Sequence, residues 1–137
     1  MQYKSYKIRL DSNNKQATLF SQHCGVARHA YNIGLAYCND LFKNGEKIPS
    51  AITLHKWLVA IVKKENPWYY ESSKCSPQEA LRDLEKAFKN FHRIQKQSKY
   101  SLKDKKGRLK GLPNFKKKGK KDSFYLEGAI RIENNLI

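Results

Sequence analysis

The sequence predicts an α+β chain, and three observations predict it. Near the start, Tyr3, Tyr6, Ile8 and Leu10 interleave imperfectly with Lys4, Ser5, Lys7 and Arg9, the two-residue period of a strand, strongest from Tyr6 to Leu10. Three later stretches repeat apolar residues every three or four positions, the period of a helix with one buried face. Beyond a run of lysines, Phe124, Leu126, Ala129, Ile130 and Ile132 return to strand spacing, with Gly128 as a bend.

Asp11-Ser12-Asn13-Asn14 breaks the opening strand and supplies helix N-caps. The first helix is expected over residues 15–43, with Ala27, Ala30, Tyr31, Gly34, Tyr37, Cys38 and Leu41 on its apolar side. Gly25 is a candidate kink near its middle, and Asn44-Gly45 a stop. The second is expected over residues 51–64, with Leu54, Trp57, Leu58, Ile61 and Val62 on one face. Asn66-Pro67 ends it, and Trp68 is expected to fold back onto the core. The third opens at Ser76-Pro77-Gln78-Glu79, a capping box with proline at the first helical position. Its stripe is Leu81, Leu84, Ala87, Phe88, Phe91 and Ile94. At the C-terminal end, Glu133-Asn134-Asn135 reads as a turn before the apolar pair Leu136-Ile137.

Between the third helix and the returning strand pattern lies a stretch of another kind. Residues 96–121 hold twelve lysines and arginines against one acid, Asp104, so a net +11 of the chain's +16 sits there. Gly107, Gly111, Pro113 and Gly119 interrupt it. Such a segment buries too little apolar surface to fold alone and is expected to be mobile without a partner. Clustered cations gain binding free energy from counterion release on a polyanion, without sequence preference. Lysine suits phosphates better than base edges. Tyr100, Phe115, Phe124 and Tyr125 at the borders add rings on which unpaired bases can stack. A solvating linker accounts for the same charge without a partner. On the third helix, Arg82, Lys86, Lys89 and Arg93 recur at four, three and four residues and form a basic stripe apart from the apolar one. A solvated face, partly neutralised by Glu79, Asp83 and Glu85, explains that stripe equally well.

The whole chain has 137 residues, with 28 Lys and Arg against 12 Asp and Glu, which favours a polyanionic partner. No run of about 18 apolar residues is present to span a bilayer, and Met1-Gln2-Tyr3-Lys4 does not open a secretory signal. The expected location is cytoplasmic, associated with the nucleoid, with no membrane partner. Cys24, Cys38 and Cys75 are odd in number and widely spaced, which fits free thiols in a reducing compartment and not a disulfide framework. No paired cysteines mark a zinc site, and His23 and Cys24, being adjacent, point in different directions on a helix. Asp11, Asp40, Asp83, Asp104 and Asp122 are scattered, and neither a phosphate loop nor a nucleophile motif occurs. The expectation is therefore no catalysis by this chain, no cofactor, no metal and no small-molecule substrate.

Four stretches carry a resemblance to a known family. They are Tyr6 to Leu10; Gly25-Val26-Ala27-Arg28-His29-Ala30-Tyr31-Asn32; Gln78 to Phe91; and Gly111-Leu112-Pro113-Asn114-Phe115-Lys116-Lys117-Lys118 with Asp122-Ser123-Phe124. In this order they resemble the N-terminal region of TnpB, or OrfB, the insertion-sequence proteins related to single-effector CRISPR nucleases. The resemblance implies a three-helix recognition bundle inserted into an incomplete wedge-type β-barrel. The implied layout is a first barrel strand over 1–11, helices over 12–98 (the family's helix-turn-helix region), a flexible basic segment over 99–121 and returning, truncated wedge strands over 122–137. It also implies a fragment without the RuvC-like nuclease domain and zinc ribbon, binding guide RNA and target DNA.

The nucleic-acid-binding residues expected from the resemblance and the charge pattern together are Arg28, Tyr31, Asn32, Arg82, Lys86, Lys89, Arg93, Phe115, Lys116, Lys117, Lys118, Lys120 and Lys121. Tyr31 sits on the apolar face of the first helix, where core packing accounts for it as well. Two other readings stand beside this one: a stand-alone helix-turn-helix DNA-binding protein, and a non-functional remnant of a decayed transposase gene. Oligomeric state is open.

Overall fold

The computed structural model describes residues 1–97, 103 and 105–128. Helix α1 (Asn14–Lys43) is a single uninterrupted rod. It starts because Asn13 Oδ1 accepts from Gln16 N at 2.9 Å while Gln16 Oε1 accepts from Asn13 N at 3.0 Å, a reciprocal cap. It stops because Gly45 takes φ +72°, and Glu46 N then donates to Leu41 O and Gly45 N to Phe42 O. Gly25, a candidate kink or break, does not interrupt it.

Helix α2 (Ala51–Trp57) begins at Ser50, whose Oγ accepts from Thr53 N at 3.3 Å. It runs directly into a π-helical turn (Leu58–Val62) and a last α-turn, α3 (Lys63–Glu65). Leu54, Leu58 and Val62 are buried at four-residue intervals. Ile61, expected on the same face, stays 49% exposed, because the wider π-turn rotates it outward. A 3₁₀ turn (Pro67–Glu71) buries Tyr69. Trp68, expected in the core, remains 39% exposed.

Helix α4 (Cys75–Gln97) buries Leu81, Leu84, Phe88 and Phe91, as its stripe predicts. The capping box expected at Ser76 is not made. Ser73 Oγ accepts from Cys75 N at 3.3 Å instead, and the Ser76 hydroxyl donates to His23 O at 2.9 Å, tying the start of α4 to α1. Helices α1 and α4 pack most extensively, with α2 against α4. A Cβ at Gly34 would lie 2.9 Å from Leu81 Cδ2 and 3.0 Å from Leu84 Cδ2, so only glycine allows this approach of the two helices. Cys38 is buried in the same core, and burial pushes its thiol up to about 11.

The expected α+β architecture is corrected. No strand forms among the described residues, so neither the first barrel strand over 1–11 nor a wedge-type barrel is present, and the described fold is helical. A strand needs a neighbour to take up its backbone hydrogen bonds. Residues 1–13 have none among the described residues, and Tyr3, Tyr6, Ile8 and Leu10 are exposed. Phe124 turns onto α1, against Phe20 and His23, instead of into a sheet. Within the described residues the sole strand-like pairing is an isolated antiparallel bridge, Lys103 to Leu109. The strand residues Ala129, Ile130 and Ile132, the turn Glu133 to Asn135, Leu136-Ile137 and Tyr100 lie outside the described residues.

Candidate nucleic-acid interface

The candidate interface begins with three residues spaced along one face of α1: Arg28, Tyr31 and Asn32. The side-chain amide of Asn32 makes two reciprocal bonds to one backbone position. Its Nδ2 donates to Lys116 O at 2.9 Å, and its Oδ1 accepts from Lys116 N at 2.8 Å. The Lys116 ammonium lies 4.5 Å from the centroid of the Tyr31 ring. Arg28 pairs with Asp122 at 3.4 Å, and the other oxygen of Asp122 accepts from Gly119 N at 3.1 Å. The helical signature and the lysine run therefore meet in space, 84 residues apart in sequence between Asn32 and Lys116.

The segment 105–128 is irregular but tied at several points. Gly111, at φ +79°, brings its backbone against Ile94; a Cβ there would sit 2.8 Å from Ile94 Cδ1. Gln95 Nε2 donates to Lys110 O at 2.8 Å. Leu109, Leu112 and Phe124 pack on the core. Glu127 reaches Arg82 at 3.8 Å. The segment thus runs from the C-terminal half of α4 across α1 and back to the start of α4.

Each predicted residue has a definite place. Tyr31 is buried, so it serves the core and supports Lys116 at once; burial, with Asp83 secondary, raises its phenol. Phe115, Lys117, Lys118, Lys120 and Lys121 are exposed. A turn closed by Lys120 N to Lys117 O, with Gly119 at φ +79° and Lys121 at φ +52°, carries these four lysines, which form no ion pair among the described residues. The α4 stripe is less available. Arg82 is held by Glu79 at 2.6 Å, Lys89 pairs with Glu85 at 3.6 Å, and Arg93 bonds Asn90 and Gln97. Lys86 is exposed and forms no ion pair among the described residues.

Sequence reasoning missed one element of the site. A groove of about 630 Å³ lies beside Arg28 and Asn32, between α1 and the 3₁₀ turn, and Trp68 and His29 line it. The two rings meet edge to face at 4.9 Å, and Trp68 stacks on Tyr69 at 4.5 Å. His29 Nδ1 and the Tyr69 hydroxyl share a 2.5 Å hydrogen bond. Burial lowers the proton affinity of His29 and raises that of Tyr69, so the neutral pair is favoured, with the phenol donating to the imidazole. The signal available was Pro67-Trp68-Tyr69-Tyr70, an aromatic cluster that sequence reasoning takes only as a helix stop and a core anchor.

Among the described residues no helix is long and apolar enough to cross a membrane. Residues 1–47 match a family model described as a helix-turn-helix domain of the OrfB type from IS605 elements. Over 131 residues, 95% of this chain, the sequence is 26% identical to InsQ of Escherichia coli (strain K12), whose name describes a candidate RNA-guided DNA endonuclease. The chain spans 29% of the length of that relative. The resemblance of this chain to TnpB/OrfB-type proteins, first visible in four stretches of its sequence, is thus shown by a family model and by a curated relative.

Proposed function

We propose that this chain is the nucleic-acid-binding portion of a TnpB/OrfB-type protein, contacting guide RNA and target DNA through the lysine turn 116–121 and the face of α1 that holds it. The observation that carries this reading is the paired hydrogen bonding of Asn32 with Lys116. It seats the most basic part of the chain on the helix matched by the family model. Exposed lysines with no ion pair among the described residues, carried on a tethered turn, suit a phosphate backbone, where affinity comes from counterion release. The similarity to InsQ supports RNA as the guide partner.

A stand-alone helix-turn-helix regulator is supported only by the description of the family model. The matched residues hold one long helix, and the link 44–50 before α2 exceeds the turn of about three or four residues that such a motif uses. Titrating the chain with a structured RNA and with duplex DNA of equal charge, across a salt series, tests the reading. The expected outcome is tighter RNA binding and a steep fall in affinity with salt. Sequence-selective duplex binding with no RNA preference would replace it with the regulator.

A further inference from the structure

Gly25 sits in the middle of α1, where glycine costs about 1 kcal/mol relative to alanine. Packing does not explain it. A Cβ at Gly25 would meet only Arg28 Nη2, at 3.9 Å, whereas one at Gly34 would strike α4. Gly25 instead lines the groove beside Trp68, and its missing side chain keeps that groove open. The groove has an apolar floor, Val26 and Ile33, and an aromatic wall, Trp68 and His29. Its rim is polar: the Arg28 guanidinium supplies donors, and the Glu71 carboxylate accepts. Tyr69 stacks on one face of the Trp68 indole and His29 meets it edge to face, yet Trp68 as a whole remains 39% exposed. The volume falls within the range of about 300–1,000 Å³ typical of small-ligand pockets, so a nucleoside fits.

A flat group with apolar faces and a hydrogen-bonding edge matches such a lining. An unpaired nucleobase is that group; a base inside a duplex is stacked on both sides and cannot enter. Charge selects the same occupant. Two residues beside the groove, Arg28 and Asn32, also hold Asp122 and Lys116, so the lysine turn lies along its edge, where the phosphates of a strand entering the groove would pass.

We propose that the groove between α1 and the 3₁₀ turn binds one unpaired base of a single strand, stacked on Trp68, while Lys116 to Lys121 hold the adjoining phosphates. This rests on the nucleic-acid reading above and adds to it a base-sized site. The probe is a single-stranded oligoribonucleotide carrying a fluorescent adenine analogue, titrated against the full chain in parallel with a duplex of equal charge. The analogue's emission is expected to be quenched on binding. Trp68→Leu is expected to abolish the quench and weaken single-strand binding about ten-fold, with duplex affinity unchanged. Trp68→Phe, which keeps a ring, should restore most of both. Gly25→Leu places a side chain into the groove from a position where an added Cβ meets only Arg28 Nη2, at 3.9 Å, and should act like Trp68→Leu while the thermal melt stays intact. If both groove variants bind and quench like the parent chain, the base site is wrong and the lysine-turn reading survives. If the parent chain binds neither probe, the nucleic-acid reading itself falls.

Discussion

Two irregular segments flank the helices, and they behave in opposite ways. Residues 1–13 carry Tyr3, Tyr6, Ile8 and Leu10 yet leave them in solvent. Residues 105–128 are far more charged yet lie along the bundle, tied by Asn32, Gln95 and Arg28 and by the packing of Leu109, Leu112 and Phe124. Apolar content alone therefore does not decide which segment docks. The difference lies in complementary polar groups already fixed on a helix. An asparagine side chain on α1 offers a donor and an acceptor at peptide spacing, and a backbone position can satisfy both only by lying alongside. The N-terminal segment finds no equivalent among the described residues.

The comparison is broken most severely by reversing the lysines. Lys116→Glu, Lys117→Glu and Lys118→Glu together are expected to lower RNA affinity by on the order of 10², and to reduce the salt slope by about 0.9 for each phosphate that is no longer neutralised. Binding isotherms at several salt concentrations measure both. The same reversal at Lys4, Lys7 and Arg9 should have a smaller effect; equal losses would mean that docking on α1 does not distinguish the segments.

A smaller effect is expected from Asn32→Ala, which removes both bonds to Lys116. Half-exposed hydrogen bonds contribute about 0.5–1.5 kcal/mol each. Amide exchange and proteolysis around 116–121 should accelerate while the melt of the bundle shifts little. If the turn stays protected, Phe124 and Asp122 hold it without the clamp.

The smallest effect is with pH. Burial lowers the proton affinity of His29 and of His55, the latter also facing Lys63, Lys74 and Arg82. The unfolded chain then takes up protons that the folded chain refuses, so stability is full above the ordinary histidine value of 6.5 and declines as pH falls below it. Melting temperatures measured down a pH series should show this decline, and His29→Gln should flatten part of it. A decline of the same size in His29→Gln would assign it elsewhere.

The helices were legible because periodicity and caps spoke together. Asn13, Asn44-Gly45 and the Leu81-Leu84-Phe88-Phe91 stripe each name a boundary or a face. The π-turn was not, since a four-residue spacing of Leu54, Leu58 and Val62 fits either helix type, and Ile61 then points where only the wider turn sends it. The opening strand failed because alternation describes a segment while a strand is a relation between two. Within the candidate interface, the residue types at Arg28, Tyr31 and Asn32 and in the lysine run were legible separately. Their contact was not, because an irregular segment has no period to say which backbone group meets which side chain. Trp68 was misplaced for a related reason: the 3₁₀ turn lets one of two adjacent rings go inward, and the chain buries Tyr69.

Asp122 has a consequence for affinity. Its carboxylate is fixed by Gly119 N and faces Arg28, so the guanidinium carries a tethered counterion of its own. Under the proposed function, a phosphate reaching Arg28 would have to displace this side chain as well as the mobile cations around the strand. Arg28 would then add less affinity than Lys117, Lys118, Lys120 and Lys121, which form no ion pair among the described residues and have no acid to release. One surface thus holds two classes of cation: lysines open to solvent, and an arginine whose charge is contested by a single neighbouring acid.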